Sequence, residues 1–171
     1  MRRRAGAVAP PVLRRVGTVA LPLLLVLAWL SGPYAFAQNT TVELTIVGGP
    51  GVNPNTQGRA SPVIVRIFDL TSTSAFDGAD YQNLFEHPAD ALKHDIASQE
   101  ELVVRAGEIN QRNRNLPPAV VAIGIAAGFR NLEQATWRVS IPVKAGRQNF
   151  LLIDLDQDKI RVEALDSEPA R

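Results

Sequence analysis

Val63-Ile64-Val65-Arg66-Ile67-Phe68-Asp69-Leu70 is apolar on both sides of a two-residue period, interrupted only by Arg66 and Asp69. Branched side chains are stiff at χ1 and fit a pleated sheet, and a strand apolar on both faces needs cover above and below. The stretch therefore predicts a strand near the centre of a sheet. Upstream, Val42, Leu44 and Ile46 alternate with Thr41, Glu43 and Thr45, the pattern of a strand with one buried face. Downstream, Val121, Ile123, Ile125 and Phe129 alternate with Ala122, Gly124, Ala126 and Gly128, so one face fills a core and the other admits close backbone approach.

Further strands follow from the same period. Leu102 and Val104 alternate with Glu101, Val103 and Arg105, and Trp137, Val139, Ile141 and Val143 alternate with Thr136, Arg138, Ser140 and Pro142, the proline placing part of that strand at an edge or bulge. Leu151, Ile153 and Leu155 pair with Ile160 and Val162 across the turn Asp156-Gln157-Asp158-Lys159. Between these strands the period changes. Phe76, Tyr81, Leu84 and Phe85 recur at helical spacing through Ser74 to Glu86, and Asp90 is placed to cap a second short helix carrying Leu92 and Ile96. Gln111-Arg112-Asn113-Arg114-Asn115 reads as a polar connection into Leu116-Pro117-Pro118. The sum is a mainly β chain of six to eight strands and two short added helices, arranged as two packed antiparallel sheets in a β-sandwich.

The chain has 171 residues, with 18 Lys and Arg, 17 Asp and Glu and no Cys. Arg2, Arg3, Arg4, Arg14 and Arg15 lie in the first 37 residues, which hold no acid, so residues 38–171 carry more acids than bases. That balance argues against a polyanion-binding domain. The basic head is followed by the apolar block Val19–Leu30, then Ser31-Gly32-Pro33 and Ala35-Phe36-Ala37, the order of an export signal cut after Ala37. Residues 1–37 are read as a signal peptide and 38–171 as a single β-sandwich domain. An uncleaved inner-membrane anchor is the alternative, because Val16 to Ala37 is uncharged and just long enough; Pro22 and the Ser-Gly-Pro break weigh against it. Arg14-Arg15 also leaves a twin-arginine signal open.

No catalytic constellation assembles. The lack of cysteine removes thiol catalysis, thiolate metal sites and lipid attachment through a cysteine. His87 and His94 are seven positions apart with Pro88 between them, about 10 Å along a continuous helix, too far to share an ion. No Gly-x-Ser-x-Gly turn occurs. Asp154, Asp156 and Asp158 align at a strand period and suit either a weak cation or saccharide site or a solvated face; the solvated face is favoured. Gly48-Gly49-Pro50-Gly51 lacks the Lys-Ser/Thr ending of a phosphate loop, Arg112 and Arg114 read as a solvated loop, and Trp137 reads as core. No cofactor, metal or catalytic residue is expected, and the chain is not expected to be an enzyme.

Residues 48–62 contain glycine, proline and asparagine in far greater number than a hairpin turn needs, and long loops in small domains often carry function. Together with this loop, an ordered set of pieces runs through residues 41 to 164: Asn53 with Gly58-Arg59, Ser61 to Leu70, Ser74-Ala75-Phe76, Ala79-Asp80-Tyr81, Leu84, Gly124, Ala126-Ala127-Gly128-Phe129-Arg130 and Trp137-Arg138. The set resembles the TssJ (SciN) family, the small outer-membrane lipoprotein of the bacterial type VI secretion system.

The resemblance implies a transthyretin-like sandwich on the periplasmic side of the outer membrane. It implies a non-catalytic scaffold that contacts the periplasmic part of the large inner-membrane TssM subunit through the loop joining the first two strands. Here that loop is 48–62, with Val52, Asn53, Pro54, Asn55, Thr56, Gln57, Gly58 and Arg59 as expected partner-binding residues and Val52 as an apolar anchor. The family's lipidated cysteine has no counterpart in this sequence, so no lipidation is expected, and attachment to the outer membrane is expected through partners. An exported carbohydrate- or peptide-binding sandwich, with its ligand near Trp137 or the Asp154 face, is the alternative.

Overall fold

Eight strands and three short helices follow one another along the chain in a computed structural model that describes residues 39–166. The expected signal peptide and its cleavage after Ala37 lie outside the described residues. The strands are β1 (Thr40–Gly48), β2 (Val63–Leu70), β3 (Ile96–Val104), β4 (Ile109–Leu116), β5 (Ala122–Ala127), β6 (Arg138–Pro142), β7 (Gln148–Asp156) and β8 (Lys159–Leu165). The helices α1 (Ser74–Gly78), α2 (Tyr81–Glu86) and α3 (Pro88–Leu92), with a 3₁₀ turn at Lys93–Asp95, all fall between β2 and β3. One sheet has the order β4-β1-β7-β8 and the other β3-β2-β5-β6. Every pairing is antiparallel except β1 with β7, which run parallel with Leu44 opposite Leu151 and Ile46 opposite Ile153.

The central position of β2 explains its composition. Val63, Val65 and Ile67 point between the sheets, where they meet Leu44, Ile46, Ile125, Ile153 and Leu155 in the main core. Phe68 and Leu70 point the other way into a second apolar cluster with Phe76, Leu84 and Leu92 of the helices. The inner face and the Phe68–Leu70 end of the other face are thereby removed from water, each large buried side chain contributing roughly 1.5–3 kcal/mol, while Ile64 stays exposed. The small face of β5 fits this arrangement. A Cβ at Gly124 would stand 2.9 Å from Leu70 Cδ1 and 2.9 Å from Phe76 Cε2, so glycine is what lets α1 lie against the sheet.

Three expectations are corrected. Gln111–Asn115 is not a connection but part of edge strand β4, paired with β1 from Thr40–Leu116 to Val47–Ile109. Its outward side chains are polar because one face meets water, and its inward arginines find acids in the other sheet. Between β2 and β3 there are three helices rather than two: the chain turns extended at Ala79 (ψ 146°), and Asp80 caps a new helix by accepting the Asn83 N–H at 2.8 Å. Asp90 lies inside α3, whose cap is His87 with Pro88 in the first helical turn, and Ile96 opens β3 rather than closing a helix face.

Candidate protein-interaction surface

The residues between β1 and β2 must carry the chain from one sheet to the other across one end of the sandwich. The crossing starts under tight constraint. A Cβ at Gly48 would come within 2.1 Å of the Arg105 carbonyl oxygen, and the Gly48 N–H donates to Glu108 O at 2.8 Å while its carbonyl accepts from Gly107. Gly49 N–H then bonds Leu155 O at 2.7 Å. The loop therefore leaves the sheet at a fixed place, flush with the ends of β3 and β7.

Val52 and Asn53 turn inward. The Val52 side chain is fully buried in the main core, and Asn53 is 3% exposed. Asn53 has a left-handed backbone, φ 47°, a conformation its short polar side chain tolerates better than most. Its N–H donates to Gln157 O at 2.6 Å in the β7–β8 turn, and its side-chain amide donates to Pro62 O at 2.8 Å. Its side-chain carbonyl accepts the Arg130 N–H at 2.9 Å in the β5–β6 connection. One buried residue, through its backbone and its side chain, thus ties three connections into a single end face. Of the eight residues expected to bind a partner, Val52 and Asn53 are committed to the interior, and the anchor role of Val52 is directed to the protein's own core.

The other six form the exposed lobe. Asn55 organises it: its side-chain carbonyl accepts the N–H groups of Gln57 (2.9 Å) and Arg59 (3.0 Å), while its backbone bonds Arg59 O (2.8 Å) and Gly58 N (2.9 Å). Ser61 N–H closes the lobe on Val52 O at 3.0 Å. Pro54, Thr56, Gln57, Gly58 and Arg59 face water, and the Arg59 guanidinium rests on the Gln57 side chain. A lobe closed by its own hydrogen bonds has little conformational freedom left to lose on binding.

The neighbouring connections complete the surface. Gly128 N–H bonds Ile64 O at 2.8 Å, Thr136 N–H bonds Asp158 O at 3.0 Å, and Asn131 donates to the Asp158 carboxylate at 3.3 Å. Asp156 Oδ1 accepts the Gly51 N–H at 3.3 Å. Sequence reasoning missed these second and third parts of the face, because nothing in the composition of 128–137 places it beside residue 53. The signal that was present is an asparagine inside a run rich in Gly and Pro, Gly51-Val52-Asn53-Pro54.

The remaining candidates separate clearly. Arg138 donates to the carbonyls of Phe76 and Ala79 and lies 4.9 Å over the Trp137 ring, so it serves the fold, whereas Arg130 is exposed. Trp137 packs on both apolar clusters and meets Tyr81 edge-on at 5.4 Å. Arg112 and Arg114, expected in a solvated loop, instead reach across to acids of the other sheet. The histidines serve through backbone atoms, His87 at the junction of α2 and α3 and His94 as acceptor for Thr71. Among the described residues no three His, Cys, Asp or Glu side chains gather as metal ligands would. A groove of about 520 Å³ lies on the outer face of the β4-β1-β7-β8 sheet, lined by Val47, Leu152, Asp154, Arg161, Val162 and Glu163.

The described residues form an eight-stranded, two-sheet sandwich with helices on one face and a pinned, exposed lobe at one end. A family profile described as "Type VI secretion lipoprotein, VasD, EvfM, TssJ, VC_A0113" matches residues 40–158, and the chain belongs to that family. No curated protein matches it. The crystal structure of the T6SS lipoprotein TssJ1 from Pseudomonas aeruginosa is 31% identical with a TM-score of 0.74, covering 76% of this chain and 99% of the other. A chain in the structure described as "T6SS protein TssM C-terminal domain (869-1107) from EAEC" is 26% identical (TM-score 0.61), covering 73% of this chain and 98% of its own. A chain of a structure described as "Type VI membrane complex" is 28% identical (TM-score 0.62), covering 73% and 97% respectively. The family is named for a lipoprotein, yet these 171 residues contain no cysteine.

Proposed function

We propose that the chain is a non-catalytic scaffold component of a type VI secretion membrane complex. It stands in the periplasm at the inner face of the outer membrane and binds the periplasmic part of the large inner-membrane TssM subunit. The contact is the exposed part of the 48–62 loop, Pro54 to Arg59. The observation that carries this reading is the division of labour within the loop: Val52 and Asn53 are buried, and the lobe they hold is exposed and closed on itself. Family membership supports the assembly, and solved relatives in structures named for TssM and for a type VI membrane complex support the partner. Export through residues 1–37, with cleavage after Ala37, delivers the domain, and protein contacts take the place of the lipid.

The test is binding of the periplasmic region of the cognate TssM-like subunit to a chain beginning at Gln38. Replacing Thr56 and Gln57 by alanine and Arg59 by serine leaves Asn53 and Asn55 to hold the lobe. At least a tenfold loss of affinity is expected, because contacts at the centre of an interface dominate its energy. Unchanged affinity in a variant that melts like the wild type refutes the loop assignment. The groove beside Leu152 and Asp154 favours a second reading, an exported carbohydrate- or peptide-binding module. That reading requires saturable binding of such a ligand, mapped to Leu152 and Glu163.

A further inference from the structure

We propose that the partner surface continues from the Pro54–Arg59 lobe onto the β5–β6 connection at Arg130, and that Arg59 and Arg130 together receive the carboxylates of an acidic segment in the partner. The inference deepens the function proposed above and rests on it.

The argument begins with what the arginines of the described residues do. Arg66, Arg105, Arg112, Arg114 and Arg161 each meet a carboxylate within 4 Å, and Arg138 is occupied by backbone carbonyls. Arg59, Arg130 and Arg147 remain, all exposed, and among the described residues none has an ion-pair partner. Arg59 and Arg130 share one end of the sandwich, on either side of Asn53; Arg147 is at the opposite end, beside Thr41. A guanidinium without a carboxylate is unusual here, because the folded part of the chain holds more acids than bases.

Two acids at this end are turned to other work. Asp156 accepts the Gly51 N–H and Asp158 accepts from Asn131, both half-buried; Glu133 is exposed further along the β5–β6 connection. The two arginines therefore project from an end face that engages two of its own carboxylates, and neither arginine pairs with a described acid. Their backbones are fixed as well. Asn53 holds the Arg130 N–H and Asn55 holds the Arg59 N–H, so both forks start from ordered positions. A guanidinium presents parallel donors that match a carboxylate, and fixed attachment reduces the entropy lost when the pair forms.

The experiment measures affinity of the same periplasmic subunit region for a chain beginning at Gln38 and for Arg59→Glu, Arg130→Glu and Arg147→Glu, each at low and high salt. Arg147→Glu makes the same change in net charge at the far end and is the control. The proposal expects about tenfold or greater weakening for Arg59→Glu and for Arg130→Glu, a shallower salt dependence in both, and affinity within about twofold of wild type for Arg147→Glu. Thermal melting of each variant checks folding, and all three side chains are exposed. Wild-type affinity in Arg130→Glu, with loss in the lobe variant, overturns this inference and leaves the loop assignment standing. Equal weakening by Arg147→Glu overturns it too, because net charge and not the end face is then what the partner senses. Failure of the wild-type chain to bind the subunit region removes both readings.

Discussion

Arg114 on β4 meets Asp69 on β2 fork to fork, Nε to Oδ1 at 2.7 Å and Nη2 to Oδ2 at 3.0 Å, so that one ion pair joins the two sheets. The side chains are 12% and 7% exposed, and Glu100 and Ser98 supply further acceptors to the same guanidinium. Burial by itself lowers the pKa of Arg114, but the hydrogen bonds and charges of Asp69 and Glu100 outweigh it and hold the group above its ordinary value. Breaking such a pair strands a charge. Arg114→Ala is expected to lower stability by about 3–5 kcal/mol in urea unfolding, and Arg114→Met with Asp69→Leu by clearly less. Equal losses in the two variants would mean that the pair does not act as a unit.

Asn53→Ala removes both side-chain hydrogen bonds that tie the loop to Pro62 and Arg130 and leaves a left-handed backbone that alanine disfavours. A loss of about 1–3 kcal/mol is expected. Asn53→Gly keeps the backbone geometry and loses only the bonds, so it falls between. Hydrogen exchange provides the local readout: the Arg130 amide is expected to lose protection in both variants.

Gly124→Ala places a methyl group against Leu70 and Phe76, where neither side has room. The expected cost is about 1–3 kcal/mol of overpacking, seen in thermal or denaturant unfolding. Partner affinity per folded molecule is expected to be unchanged, because the clash lies between the sheet and α1 and the binding lobe lies beyond the end of the sandwich.

Tyr81 ionises above its ordinary value of 10.0 because burial disfavours the phenolate, an effect partly offset by the positive charge of Arg66. A folded-state pKa above the unfolded one contributes stability below pH 10 that is lost as pH rises through the folded value. In a chain beginning at Gln38, Tyr81 is the only tyrosine, so ultraviolet absorbance follows it alone. Arg66→Gln is expected to move the titration further upward; a downward movement would contradict the stated cause.

The strands legible in the sequence were those whose side chains report burial directly. Val63–Leu70 announced apolar packing on both faces and Val121–Phe129 a core face backed by a small one, and both belong to central strands. Residues 109–116 were illegible because an edge strand bonded on one side tolerates a polar sequence, and its pairing partner β1 lies more than sixty residues away. The loop was visible in composition as a place, but its inner and outer halves were not. Val52 reads as a lone exposed apolar residue until the core that receives it is seen, and Arg130 approaches Asn53 only through the packing of sheet ends. Contacts between connections carry no local period, so no window of sequence contains them.

The parallel partnership of β1 and β7 has a consequence for how the molecule is made. The first strand of the sheet lies between the fourth and the seventh, so one of its two edges waits until Gln148 and the residues after it are available. A chain that appears N-terminus first passes through most of its length with Val42, Leu44 and Ile46 only partly enclosed. Closing such a distant pairing costs loop-closure entropy, and the sheet is complete only when the final hairpin joins it. Loss of the last two strands would therefore not trim the domain; it would leave the first strand without the neighbour that completes its sheet.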